Sequence, residues 1–207
     1  IIESSLFRNC ESLKQVTIPS SITTIKSYAF YSCISLETIT IPSSVTSIGE
    51  QAFSYCKSLT QITIPSSVEV IGKSVFLRCS NLEAFFVESD NPNYVAVDKI
   101  LFTKDLKNLI SYPPKKTETT YNIPSSVTTI VDGAFSDCSL LSNISIPSSV
   151  TTIGERSFSG CSSLIKINIP SSVTKIEVHT FSNCTSLSDI TIPSSVSKIP
   201  YGAFTNC

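Results

Sequence analysis

Cysteine is the residue with the widest chemistry in this sequence, and eight of them occur in 207 residues. Thiols can pair as disulfides, hold a metal as thiolates, or act as nucleophiles beside a histidine. Cys10, Cys33, Cys56 and Cys79 follow one another in steps of 23, and so do Cys138, Cys161, Cys184 and Cys207. A phenylalanine stands three residues ahead of each, from Phe7 to Phe204. All eight therefore occupy one column of a repeat, where a small apolar side chain fits a tight coil. Pairing residues related by a single translation would bend neighbouring coils in alternate directions, so the phase favours a ladder of buried free thiols. Disulfides and metal binding stay open as alternatives, although the sequence has no Cys-x-x-Cys and no histidine cluster.

The other reactive side chains form no set. The single histidine, His179, precedes the alanine column and reads as a lone exposed residue. One histidine cannot serve the repeated Ser-Ser pairs, and no Gly-x-Ser-x-Gly occurs. Glu50, Asp90, Asp105, Asp132 and Glu155 fall at solvent positions or in an irregular stretch, without the fixed pair that glycoside hydrolysis uses. Glycine-rich phosphate loops are absent too. No catalytic, metal-ligating or cofactor-binding residue is expected, and no cofactor is called for.

The elements that would position these residues repeat with the same period. Ile-Pro-Ser-Ser recurs at Ile18, Ile41, Ile64, Ile123, Ile146, Ile169 and Ile192. In the copy from Leu36 to Ser58, Leu36, Ile39 and Ile41 alternate with Thr38 and Thr40, the period-two pattern of a strand with one buried face. Pro42 ends that strand because it cannot donate to a ladder, and the serines can satisfy turn amides. Val45 and Ile48 suggest a short second strand, and Ala52, Phe53 and Cys56 fall at helical spacing. No single unit can bury its apolar side alone. Stacked coils can, each strand pairing in parallel with its equivalent about 4.8 Å away, so that eight coils would make an array about 40 Å long.

The opening Leu-x-x-Ile-x-Ile is that of a leucine-rich repeat. The continuation Ile-Pro-Ser-Ser-Val-x-x-Ile-Gly-x-x-Ala-Phe-x-x-Cys resembles the BspA-like subclass found on surfaces of mucosal bacteria and protozoa, and the likeness covers nearly the whole chain. The resemblance implies an α/β repeat solenoid spanning 1–207, with a parallel concave sheet, short second strands and short helical turns on the convex side. It also implies an extracellular or cell-surface module used in adhesion, without enzymatic activity, whose partner is a protein or glycan on another cell or matrix. Because the chain begins and ends inside the repeating phrase, it reads as a slice of a longer protein.

Composition is compatible with that reading. A formal net charge of -1, with scattered Lys and Arg, gives no field for nucleic acid or an anionic membrane. Apolar runs are too short to span a bilayer.

One unit, from Leu82 to Thr117, is longer than the rest. The irregular stretch 88–117 contains turn chemistry at Ser89-Asp90-Asn91-Pro92-Asn93 and two strand-like runs, Ile100 to Thr103 and Leu109 to Tyr112. These suggest a β-hairpin around Lys104 to Asn108 that replaces the Ala-Phe-x-x-Cys segment of its coil, serving as a structural insertion or a binding element. Family turns of this kind usually contain Gly, where this chain has Leu106.

Candidate binding residues lie where the phrase is variable. The outward strand positions form a column of Thr17, Thr40, Thr63, Phe86, Asn122, Ser145, Asn168 and Thr191 beside Gln15, Thr38, Gln61, Ala84, Thr120, Asn143, Lys166 and Asp189. Thr40, Thr63, Phe86, Asn122, Ser145 and Asn168 are the candidate partner-binding set, with Phe86 as an aromatic anchor. Two sequons, at Asn143 and Asn183, permit N-glycosylation in a eukaryotic secretory route. A rigid spacer and a carbohydrate-active solenoid are the competing readings; the latter would need carboxylates clustered on one face.

Overall fold

Each Pro-Ser-Ser-Val phrase closes a turn in the computed structural model, which describes residues 1–207. Val45 donates its amide to the Pro42 carbonyl at 3.0 Å, and Val68, Val127, Val150 and Val173 repeat the bond to Pro65, Pro124, Pro147 and Pro170. The serines do more than complete their own turns. Ser44 Oγ donates to the Ile22 carbonyl at 2.6 Å, and Ser67, Ser149, Ser172 and Ser195 donate likewise to Val45, Val127, Val150 and Val173. In these five pairs the second serine is thus a rung to the preceding coil, because the turn is already closed by the backbone.

The chain forms two compact units, Ile1–Asp105 and Leu106–Cys207. Unit 1 contains β1 (Gln15–Thr17), β2 (Thr24–Ile25), β3 (Thr38–Thr40), β4 (Ser47–Ile48), β5 (Gln61–Ile64), β6 (Val70–Ile71), β7 (Ala84–Val87), β8 (Tyr94–Val97) and β9 (Ile100–Thr103). Unit 2 contains β10 (Asn108–Ser111), β11 (Thr120–Asn122), β12 (Thr129–Ile130), β13 (Asn143–Ser145), β14 (Thr152–Ile153), β15 (Lys166–Asn168) and β16 (Asp189–Thr191). The first strands pair in parallel with a register of one repeat, β1 with β3 and β5 with β7 in unit 1, and β11-β13-β15-β16 in unit 2. The second strands form their own parallel ladders, β2-β4-β6 and β10-β12-β14.

The short helical turns expected between the second strand and the cysteine are not helices. In the turn segment Gln51 to Cys56, Ala52, Ser54 and Cys56 donate locally to Gly49, Gln51 and Phe53, while Gln51, Phe53 and Tyr55 donate to Lys73, Val75 and Leu77 of the next coil. Alternate amides therefore serve the coil and its neighbour, which no helix can do. Two residues per segment adopt left-handed backbone to make this possible, Gln51 (φ 52°) and Tyr55 (φ 63°) here, and the same columns recur through Asn183 (φ 60°) and Gly160 (φ 80°). Spacing of i, i+1, i+4 fits such a string of turns as well as a helix.

Second strands need neighbouring coils to approach closely. A Cβ on Gly72 would stand 2.5 Å from the Glu50 nitrogen, and Gly49 and Gly154 are equally hemmed in by backbone. Glycine is not required for the strand itself, because Lys26 and Val131 take its place after β2 and β12, whereas the runs before Glu177 and Pro200 form no strand.

Phenylalanines form the interior axis of each unit. Phe7, Phe30, Phe53 and Phe76 stack with centroids 5.1 to 6.1 Å apart, and Phe85 closes the column edge-on to Phe76 at 5.0 Å. In unit 2, Phe135, Phe158, Phe181 and Phe204 stack at 5.2 to 5.4 Å. Tyr112 stands at the head of that column, 5.3 Å from Phe135 and buried.

Tyr112 corrects the expectation for the long coil. Its amide donates to the Ala134 carbonyl as Phe30 does to Ala52, so Ser111 and Tyr112 occupy the alanine and phenylalanine columns. The insertion therefore adds to the turn segment rather than replacing it. The two runs foreseen as strands are β9 and β10, and Leu106 adopts φ 58° without glycine. An antiparallel hairpin not foreseen pairs β8 with β9, with Tyr94 opposite Thr103 and Val97 opposite Ile100. Its turn residues, Asp98 and Lys99, both have positive φ, as a tight two-residue hairpin turn requires. The hairpin is anchored at the edge of β6, where the Tyr94 hydroxyl accepts from the Ile71 amide at 2.8 Å and donates to the Glu69 carbonyl at 3.4 Å.

Candidate functional site

The side chains of the first strands divide by face. Ile39, Ile62, Ile144 and Ile167 are buried, whereas Thr17, Thr40, Thr63, Asn122, Ser145, Asn168 and Thr191 are exposed. Parallel pairing sets like residues side by side: Thr17 faces Thr40, Thr63 faces Phe86, Asn122 faces Ser145, and Asn168 faces Thr191. In unit 1 a shallow depression lies over β1 and β3, lined by residues that include Gln15, Thr17, Thr38 and Thr40. In unit 2 the adjacent column carries an ion pair, Lys166 Nζ to Asp189 Oδ2 at 2.6 Å, exposed and so worth little to stability.

Phe86 is 45% exposed, an unusual state for a large aromatic ring. Its strand neighbour Ala84, grouped with the outward positions from the sequence, is buried. The hairpin strands β8 and β9 pack beside β7 and were not visible as cover for that strand in the sequence pattern.

Of the two sequons, Asn143 lies exposed on β13. Asn183 is half-buried in a left-handed turn, and its Oδ1 accepts from Asn206 Nδ2 at 2.9 Å. His179 is half-buried rather than exposed, its ring edge-on to Tyr201 at 5.8 Å.

The carboxylates are tied to local partners. Asp132 accepts from the Glu155 amide at 2.9 Å, Glu155 pairs with Arg156, and Asp105 accepts from Thr103 at 2.7 Å. No group of three His, Cys, Asp or Glu side chains converges in an arrangement suited to a metal ion.

The thiols have a definite structural task. Cys56 Sγ donates to the Phe30 carbonyl at 3.2 Å, the carbonyl that also accepts the Cys33 amide, and Cys33, Cys79, Cys161, Cys184 and Cys207 make the same bond at 3.1 to 3.2 Å. All eight are free cysteines. The column thus uses the thiol as a weak donor as well as a small apolar group, which the spacing alone did not reveal. Burial, with Cys10 nearby, pushes the Cys33 thiol up to about 11; burial, with Cys207 nearby, pushes Cys184 up to about 12. Burial also raises Cys56, Cys138 and Cys161 well above the usual range. Such thiols are inert as nucleophiles at neutral pH.

A pH dependence follows. The folded pKa values exceed the unfolded value of about 8.5, so the thiols' contribution is complete below that pH and is lost as pH rises toward about 12. Thermal melts with excess reductant should hold steady from neutrality to about pH 8 and fall steeply above about pH 9, and Cys56→Ala should flatten that fall. An equally steep fall in the variant would remove the thiols as its cause.

Parallel coils of 23 residues, built from a strand, a proline turn, in most coils a second strand, and a turn segment, define a leucine-rich repeat solenoid. The family model described as BspA type leucine rich repeat region matches residues 1–110 and 114–207 in six copies, and the chain belongs to that family. Among solved structures it is similar to a leucine rich cell surface protein from Faecalibacterium prausnitzii, with 35% identity and a TM-score of 0.78 over 99% of this chain and 60% of that one. It is also similar to a leucine-rich repeat protein from Eubacterium ventriosum, with 32% identity and a TM-score of 0.74 over 94% of this chain and 64% of that one. The pneumococcal vaccine antigen PcpA aligns at 25% identity with a TM-score of 0.74 over 88% of this chain and 57% of that one. The chain spans less than two thirds of the length of each of these relatives. No curated protein matches it.

Proposed function

We propose that this chain is a non-enzymatic extracellular recognition or adhesion module that binds protein or glycan through the outward face of its first strands. The observation that carries this reading is the uninterrupted exposure of hydroxyl and amide side chains on rigid paired strands, joined in unit 1 by the exposed Phe86. Parallel pairing fixes these groups without side-chain ordering costs elsewhere, the preorganisation that binding needs. Family membership and the surface description of the Faecalibacterium relative support the extracellular placement.

A second reading, a rigid spacer, is favoured by the uniform interior, which serves stacking alone. One experiment separates the two. The chain is applied to an array of matrix proteins and glycans, and its best hit is titrated against Thr40→Arg, Ser145→Arg and Phe86→Ala. Recognition through this face predicts a loss of roughly tenfold or more in at least one variant. An array without hits, or three variants that bind as the parent does, would leave the spacer.

A further inference from the structure

The turn segments of unit 1 carry a second surface of different chemistry. Residues 5–10, 28–33, 51–56 and 74–79 contain two arginines, three tyrosines and no carboxylate, whereas the equivalent segments of unit 2 contain no tyrosine and include Asp137. The five side chains touch in sequence across four successive coils. Arg8 places its guanidinium over Tyr28 at 5.8 Å and over Tyr31 at 5.1 Å. Tyr31 meets Tyr28 at 5.8 Å and Tyr55 at 5.3 Å, and Arg78 lies over Tyr55 at 5.7 Å.

The backbone beneath three of these residues is left-handed, as in every turn segment. Tyr28 (φ 61°), Tyr55 (φ 63°) and Arg78 (φ 59°) occupy left-handed positions that Gly160, Gly202, Asn183 and Asn206 fill in some coils and Gln51, Arg156 and His179 in others. Glycine and asparagine suit that conformation, and a bulky side chain there is strained. The backbone therefore sets where these side chains stand, and the contacts between them are what distinguish the stripe.

The arrangement also specifies an occupant. A guanidinium whose face rests on an aromatic ring recognises a carboxylate through its edge, in a bidentate fork. Tyrosine and arginine are the residues on which protein interfaces concentrate their affinity. Arg8 and Arg78 belong to coils three steps apart, about 14 Å at the spacing of paired strands, a distance an extended peptide covers in about four residues. We propose that this stripe docks an extended acidic segment of a partner protein, with carboxylates four residues apart on the two arginines and the side chain between them on the tyrosines.

The proposal is tested by fluorescence anisotropy on this chain with a labelled peptide, Gly-Ser-Glu-Gly-Leu-Gly-Glu-Gly-Ser, and its Glu→Gln counterpart. The acidic peptide should bind about tenfold more tightly at low salt, and should weaken as salt rises past the level at which the Debye length is about 10 Å. Arg8→Gln and Arg78→Gln should each cost roughly fivefold. Tyr55→Asn should weaken binding without lowering the thermal midpoint, because asparagine suits the left-handed turn. Equal binding of the two peptides, no binding of either, indifference to the arginine variants, or preference for a sulfated oligosaccharide over the peptide would each overturn it. A lowered midpoint in Tyr55→Asn would overturn it too, by making the stripe structural. The stripe shares no residue with the first-strand face, so its failure would leave the recognition reading standing.

Discussion

Phe53→Ala should lower the stability of the chain by roughly 3 to 5 kcal/mol, read from chemical denaturation against the parent. Phe53 is fully buried, with Phe30 and Phe76 stacked on its two faces at 5.4 and 6.1 Å. Truncation removes the ring's transfer energy, opens a cavity on the column axis, and deletes two aromatic contacts worth about 0.5 to 1.5 kcal/mol each. Position should govern the size of the effect. Phe204 is only half-buried and stacks on Phe181 alone, so Phe204→Ala should cost well under half as much. Equal losses at the two positions would contradict a stability built from neighbour terms.

Asn91→Ala is expected to cost a comparable amount, roughly 3 to 5 kcal/mol, although no apolar contact carries it. The amide is buried and uses all its capacity. Nδ2 donates to the Pro65 carbonyl at 2.7 Å and to Val68 at 3.2 Å, while Oδ1 accepts from the amides of Asn93 and Tyr94, both at 2.8 Å. Alanine would strand three backbone groups where the hairpin starts, the Val68 carbonyl and the amides of Asn93 and Tyr94, while the Pro65 carbonyl keeps only the Val68 amide. Asn91→Asp distinguishes hydrogen bonding from shape, since it keeps the shape and loses both donors. Its carboxylate would face two carbonyls, so its folded pKa is raised, and stability should be fullest below about pH 3.9 and fall as pH rises. An Asp variant as stable as the parent at neutral pH would refute the role given to Nδ2.

Much of this was legible in the sequence because one rule was written eight times. A step of 23 between Thr40 and Thr63 fixes which residues pair, and the observed register repeats that step. What the period could not convey was conformation at equal spacing. Ala52, Phe53 and Cys56 fit a helix and a string of turns alike, and the difference lies in where alternate amides go. A clue was present in the residue before each cysteine, often Asn, Asp or Gly, as at Asn9, Asp137, Gly160, Asn183 and Asn206. Tyr112 escaped because counting stopped at the interruption, although 23 residues back from Phe135 leads to it. The β8-β9 hairpin escaped because Asp98-Lys99 makes its turn without glycine. The candidate face was visible as a column, but Ala84 lay under cover that only the hairpin provides.

The bonds from Asn91 and Tyr94 to the coil before them have a further consequence for how the chain finds its fold. In a repeat this regular, a strand that pairs one whole coil out of place meets nearly the same residues and loses little energy. Pro65, Val68, Glu69 and Ile71 carry the bonds that the Asn91 amide and the Tyr94 hydroxyl complete. No other coil can complete both sets. The irregular coil is a phase mark in an otherwise degenerate sequence, setting which repeat is which.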